Sequence, residues 1–140
     1  MQHYLCKTNN LSYIDAYIDY AKAFDTVSHA KLLSKLSAYG ITGNLYNWIS
    51  SFLHNRTQQT RVGTALSNTM NLPSGVVQGS VLGPLLFVLF INDVSKILND
   101  AHCSCKLYAD DLKLYTSLCS SNNASVLQSK SDDLYCWSVT

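Results

Sequence analysis

The residues best suited to chemistry in this 140-residue chain are two adjacent carboxylates, Asp110 and Asp111, in the run Tyr108-Ala109-Asp110-Asp111. Cys103-Ser104-Cys105-Lys106-Leu107 lies upstream and Leu112-Lys113-Leu114-Tyr115 downstream, each alternating well enough to be one half of a β-hairpin. Like charges bunched at a hairpin tip repel one another unless a cation offsets them. A divalent metal ion is the usual solution, because hard cations such as Mg²⁺ favour carboxylate oxygen. A solvated Asp-Asp turn is the simpler reading, since Asp is common in turns. On these four residues alone the two readings weigh equally.

A third carboxylate comes from a second strand. Residues 13–20 alternate strictly: Ile14, Ala16 and Ile18 fall on one face, and Tyr13, Asp15, Tyr17 and Asp19 on the other. Asp19 sits at the C-terminal end of that strand, where it projects beyond the sheet. If the strand neighbours the 103–117 hairpin, Asp19 lies beside Asp110 and Asp111, and the three make a socket for two divalent ions. Such paired ions, ~3.5–4 Å apart, clamp the attacking and leaving oxygens of a phosphoryl transfer. That chemistry rests on positioning and charge neutralisation, so bare carboxylates suffice.

The remaining elements must position these groups. Leu32, Leu33, Leu36 and Tyr39 recur at helical spacing with Gly40 as a natural stop, and a second helix fits Leu45-Trp48-Ile49-Phe52-Leu53. Trp48 and Trp137 read as core anchors. Gln58 to Leu66 and Thr69 to Leu72 look like a strand pair around a polar turn. The glycines between Pro73 and Pro84 argue for a loop whose backbone approaches something closely. Pro84 suits a first helical turn, predicting a helix from Leu85 to about Leu98. A Ser/Asn-rich stretch from Ser117 to Ser125 leads to a last amphipathic helix through Leu127, Leu134 and Trp137. Strands and helices segregate, as in an α+β sheet covered on one face by helices.

Composition narrows the function classes. An apolar fraction of 47% suits a globular chain. The nine acidic residues are all Asp and the ten basic ones leave a net charge of +1, so bulk charge makes no case for a free-standing nucleic-acid binder. Five cysteines (Cys6, Cys103, Cys105, Cys119, Cys136) are odd in number and form no C-x-x-C. With no hydrophobic signal sequence before them, they read as reduced thiols of an intracellular protein, with Cys103 and Cys105 as buried strand residues. The longest apolar run, Val81 to Ile91, is well short of the ~20 residues a membrane span needs.

Three segments together resemble a known family. Asp19-Tyr-Ala-Lys-Ala-Phe-Asp25-Thr-Val-Ser-His29 looks like the first catalytic motif of reverse transcriptases, Val77-Gln-Gly-Ser-Val-Leu-Gly-Pro-Leu-Leu-Phe87 their second, and Tyr108-Ala-Asp-Asp111 their third. Tyr39-Gly-Ile-Thr-Gly and Trp48-Ile-Ser-Ser-Phe-Leu-His-Asn-Arg56 are similar to the LINE-type branch, the jockey and CR1-like non-LTR retrotransposons. The order of the three motifs makes the resemblance specific, where the Tyr108–Asp111 run by itself would not.

The resemblance implies a polymerase palm: a small antiparallel sheet backed by helices on one face, over residues 13–140, with residues 1–12 outside the family and fingers and thumb largely missing. It implies RNA-directed DNA polymerisation with two Mg²⁺ ions (Mn²⁺ as the alternative), an RNA template, a DNA primer and dNTPs, in the nucleus or a cytoplasmic ribonucleoprotein, with no membrane. Asp19, Asp110 and Asp111 would be the catalytic metal-binding triad, helped by the Tyr20 carbonyl. Phe24 would stack under the incoming sugar and exclude a 2′-hydroxyl, and Gln78 and Gly79 would line the nucleotide pocket. Tyr108 would support the primer end. Lys22 reads equally as facing the triphosphate or as balancing Asp19; Asp25 reads as structural, and His29 as packing or hydrogen bonding at a helix start.

The chain departs from the family at Val77, where proline is usual, which frees the loop that positions Gln78. With ten scattered basic residues there is little positive surface to hold a template–primer, so no processive polymerisation is expected of the chain by itself. Two alternatives remain open: a catalytically inactive relic serving as a folding or interaction module, and a nucleic-acid-binding protein reusing the sheet. The second lacks an aromatic stripe on the strands.

Overall fold

The computed structural model describes residues 2–8, 11–117 and 123–139, with side chains from 14 to 117 and from 125 to 138. Most of the Ser117–Ser125 stretch and the side chains of Cys6, Tyr13 and Cys119 lie outside these. The chain forms two compact units, Met1–Ala21 with Ile91–Thr140, and Lys22–Phe90.

The first unit is built on a four-stranded antiparallel sheet. β1 (Gln2–Thr8) pairs with β2 (Leu11–Ile18), which pairs with β8 (Asp111–Ser117), which pairs in turn with β7 (Ser104–Tyr108), giving the order β1-β2-β8-β7. Alternation in β2 and β8 sorts their side chains as the sequence predicts. Ala16, Leu112 and Leu114 are buried on one face, joined there by Cys103 and Cys105 at β7. Two helices cover that face. α4 (Val94–Leu98) buries Val94 and Leu98 and touches β7, while α5 (Asn123–Val139) buries Leu127, Ser131 and Leu134 and touches β8, β2 and α4. The 127/131/134 spacing puts these three on one helical stripe. This is an α+β fold with a small antiparallel sheet backed by helices.

The second unit begins with a turn at Lys22–Thr26 and then α1 (His29–Ala38), capped by the Ser28 hydroxyl, which accepts the Lys31 N–H. Its C-terminus closes as a Schellman motif. The Ile41 N–H reaches the Leu36 carbonyl and the Gly40 N–H the Ser37 carbonyl, with Gly40 at φ +84°. α2 (Gly43–Leu53) touches α1, and Ile49 and Leu53 are its buried residues. Beyond it lie β3 (Thr57–Gln58) paired with β6 (Met70–Asn71), and β4 (Arg61–Val62) paired with β5 (Ala65–Leu66). α3 (Leu82–Ile91) buries Leu86, Phe87 and Ile91; its last residue already belongs to the first unit.

Several expectations change. β1 is a strand the sequence did not signal. The helix expected from Leu85 to Leu98 starts earlier, at Leu82, and breaks at Asn92-Asp93 into α3 and α4. The pair expected over 58–72 becomes two ladders of two residues per strand, because every residue in them is exposed and no core holds a longer ladder. Trp48 is no core anchor: it is 54% exposed and stacks on Phe52, being rotated off the Ile49/Leu53 stripe, and Trp137 is only half-buried. Cys103 and Cys105 are free buried thiols, as expected; burial pushes the Cys105 thiol up to about 11, with the neighbouring Cys103 adding to it.

Asp100 ties the start of β7 to α5. Its Oδ1 accepts the N–H groups of His102 and Cys103, each at 2.8 Å, and its Oδ2 pairs with Lys130 Nζ at 2.9 Å. The Lys130 bond first, then the backbone donors, hold the carboxyl down to about 2 from 3.8. A depressed carboxylate contributes stability that is fully present above its unfolded value and lost as pH falls through the folded one. Urea unfolding of wild type should therefore weaken more steeply than that of Asp100→Asn between pH 4 and pH 2. Equal slopes would show that the contact does not form in solution.

Candidate active site

The first unit brings the predicted acidic residues to one end of adjacent strands. β2 and β8 pair from Tyr13↔Ser117 to Ile18↔Leu112, so Asp19 follows the last paired residue of β2 and Asp111 precedes the first paired residue of β8 on that ladder. β7 and β8 close at Tyr108↔Asp111, leaving Ala109 and Asp110 as the two central residues of the hairpin turn. Ala109 has φ +52°, a left-handed backbone that matches a two-residue hairpin but is uncommon outside Gly, Asn and Asp. Asp19 and Asp111 are exposed, Asp110 is half-buried, and Tyr108 is 82% exposed at the tip.

Every donor this end of the sheet offers is oxygen: three carboxylates and the Tyr20 carbonyl that follows Asp19. That set suits a hard divalent cation and disfavours a soft one. Among the described residues, no three His, Cys, Asp or Glu side chains stand close enough together to hold a metal ion. The strand ends thus set the three carboxylates at one end of the sheet without a side-chain cluster.

Behind them the β2–β8 pairing carries an ion pair. Lys113 Nζ sits 2.7 Å from Asp15 Oδ2 and 2.7 Å from the Tyr17 hydroxyl, and lies over the Tyr17 ring at 4.7 Å. Asp15 is 3% exposed, so its carboxylate depends on that lysine. The sequence placed Asp15 on the polar face and gave no sign that it would be buried there. Lys106 stands directly opposite Lys113, and the Asp15 contact offsets that like-charge pairing.

The second unit holds the predicted nucleotide residues. Phe24 is half-buried and stacks on Phe87, with ring centroids 4.4 Å apart. The turn carrying Phe24 is fastened to the loop carrying Gln78. Val76 N–H donates to the Phe24 carbonyl and Gly75 N–H to the Val27 carbonyl, both at 2.8 Å, and the Ser74 hydroxyl donates to the Asp25 carbonyl at 2.8 Å. His29 is buried with Nε2 2.8 Å from the Gly75 carbonyl, a hydrogen-bonding role at a helix start. Gly75 is indispensable to this seam: its φ is +94°, and a Cβ there would stand 2.9 Å from the Asp25 carbonyl oxygen. The loop is thus tied down even with Val at position 77. Gln78 and Gly79 form the exposed turn beyond it, Gly79 with φ +79°.

Lys22, Asp25, His29, Arg56, Ser74 and Gln78 are among the residues lining a cleft of ≈ 550 Å³ in this unit. Its size is that of ordinary small-ligand sites. Lys22 and Arg56 supply positive charge, and Asp25 is engaged by Gln78 (Nε2 to Oδ1, 2.8 Å). Arg56 shares this lining with Gln78 although no spacing in the sequence links the two.

A family model described as reverse transcriptase (RNA-dependent DNA polymerase) matches residues 3–135. The chain is 32% identical over 126 residues to a retrovirus-related Pol polyprotein from type-1 retrotransposable element R2 of Popillia japonica, covering 81% of this chain and 21% of that one. It is 33% identical over 143 residues to a probable RNA-directed DNA polymerase from transposon BS of Drosophila melanogaster (97% and 16%). It is 38% identical over 81 residues to the RNA-directed DNA polymerase from mobile element jockey of the same fly (58% and 9%). The chain belongs to the reverse transcriptase family, with relatives of the LINE type. It spans about a fifth or less of the length of these relatives.

Tyr20, which follows Asp19, buries its hydroxyl without a hydrogen-bond partner among the described residues. Burial raises its phenol well above the ordinary value, with a smaller contribution from Cys105. An unsatisfied buried hydroxyl costs stability. Tyr20→Phe should raise the unfolding free energy by about 1 kcal/mol in urea titrations. A destabilised variant would show that the hydroxyl is paired.

Proposed function

We propose that this chain carries the nucleotidyl-transfer centre of a non-LTR retrotransposon reverse transcriptase. Asp19 and Asp110 act as the main metal ligands, with Asp111 and the Tyr20 carbonyl beside them. The observation that supports this is the β2–β8 register, which ends at Ile18↔Leu112, one residue before Asp19 and one after Asp111, beside the turn that bears Asp110. Bound Mg²⁺, or Mn²⁺ in its stead, would neutralise charge on the phosphate oxygens and on the attacking and leaving oxygens.

In the reaction the primer 3′-hydroxyl gives up its proton to solvent as its oxygen bonds to the α-phosphorus of a dNTP, the bond from that phosphorus to the oxygen bridging to the β-phosphate breaks, and pyrophosphate leaves. No side chain need act as nucleophile, so the residues here bind and orient. Phe24, steadied by Phe87, supports the sugar and excludes a 2′-hydroxyl. Gln78 and Gly79 contact the nucleotide, and Lys22 and Arg56 in the adjoining cleft favour its phosphates. Tyr108, exposed at the hairpin tip, supports the primer end. The partners are an RNA template, a DNA primer and dNTPs, encountered in the nucleus or a cytoplasmic ribonucleoprotein. Among the described residues no helix is long and apolar enough to cross a membrane. Residues 13–140 carry every residue named, and Gln2–Thr8 add an edge strand. The family match and the retained carboxylates do not favour an inactive relic.

Calorimetric titration with Mg²⁺ or Mn²⁺ tests the centre. Saturable binding should weaken at least ~10-fold in Asp19→Asn and in Asp110→Asn, because each removes a charged ligand. Binding that is absent in the wild type, or indifferent to both changes, would contradict the assignment.

A further inference from the structure

We infer that Asp25 is a positioning residue that fixes the hydrogen-bonding polarity of Gln78. This rests on the nucleotide-binding reading of Gln78 given above. Gln78 Nε2 donates to Asp25 Oδ1 at 2.8 Å. An ionised carboxylate can only accept, so the Gln78 amide must turn its NH₂ toward Asp25, and chemistry alone settles which end of the amide is which. Oε1 is then the end left for a ligand. Gln78 therefore offers an acceptor, suited to a hydroxyl or amino donor of a nucleotide.

The backbone around the pair is already immobilised. Phe24, Asp25 and Val27 hold Val76, Ser74 and Gly75 through the seam described above, with His29 on the Gly75 carbonyl. What these bonds leave undetermined is the Gln78 side chain, which is exposed and would otherwise rotate freely. Asp25 removes that freedom before a ligand arrives, which is where preorganisation gains affinity. Both side chains are exposed, so the bond adds little to stability and its removal should spare the fold. Asp25, Lys22 and Arg56 line the same cleft, so the bond also engages a negative charge beside two positive ones.

The test uses the full chain labelled with ¹⁵N, the Gln78 side-chain amide pair being identified by its loss in Gln78→Ala. In Asp25→Ala that pair should move while backbone resonances away from residues 22–29 and 74–80 stay in place. Asp25→Asn, whose carbonyl can still accept, should restore it. Titration with a fluorescent dNTP and Mn²⁺ should show about 5- to 10-fold weaker binding for Asp25→Ala, the range expected for one oriented hydrogen bond. Asp25→Asn should stay within about 2-fold of wild type. An unmoved amide pair in Asp25→Ala, or a moved pair with unchanged affinity, would overturn the inference. A wild type that binds no nucleotide would overturn the nucleotide reading of Gln78 itself. The amide shift judges separately whether Asp25 holds it.

Discussion

The pairing of β2 with β8 is the constraint on which the rest depends, because carboxylates distant in sequence share one end of the sheet only while that register holds. Side chains alternate with period two, so a one-residue slip of β2 would turn Ala16 off the apolar face and Asp15 onto it, and a slip of β8 would turn out Leu112 and Leu114. The apolar face beneath α4 and α5 resists such a slip. On the opposite face the Asp15–Lys113 pair adds a second lock, since a buried carboxylate that loses its lysine is left with an uncompensated charge. The strands thus spend specificity on alignment, and the exposed acidic end can remain solvated and repulsive.

The second unit solves a different problem, holding an exposed loop in a fixed conformation without burying it. A few backbone bonds between the 24–27 turn and the 74–76 segment do this, together with one buried imidazole. Their geometry demands a residue without Cβ at position 75. Proline restrains a chain by removing conformations from a single residue, whereas this seam restrains it by tying two segments together. The consequence is that the loop stays tied down with Val at position 77.

Legibility in the sequence followed the strength of local periodicity. β2, the β7–β8 hairpin, α1 with its glycine stop and the Leu127/Leu134 stripe of α5 were all readable, because burial on one face writes period two or 3.6 into the residues. β1 was not readable as part of the fold, since its place comes from pairing with β2. The break between α3 and α4 was hidden in a continuous apolar run whose periodicity is weak. Trp48 misled because a large aromatic is usually buried, yet its angular position on α2 lies off the stripe of Ile49 and Leu53. In the site, motif order pointed to Asp19, Asp110, Asp111 and Gln78. The contacts of Asp25 with Gln78 and of Asp15 with Lys113 join residues 53 and 98 positions apart in sequence, which no spacing rule detects.

Paramagnetic broadening by substoichiometric Mn²⁺ in the ¹H–¹⁵N spectrum of the chain tests the central claim most directly. If Asp19, Asp110 and Asp111 form one divalent-ion centre, amide signals of residues 19–20 and 109–111 should broaden first and together, while Asp132 and Asp133 on α5 stay sharp. Broadening spread evenly over all aspartates, or centred on α5, would mean that the acidic hairpin is a solvated turn.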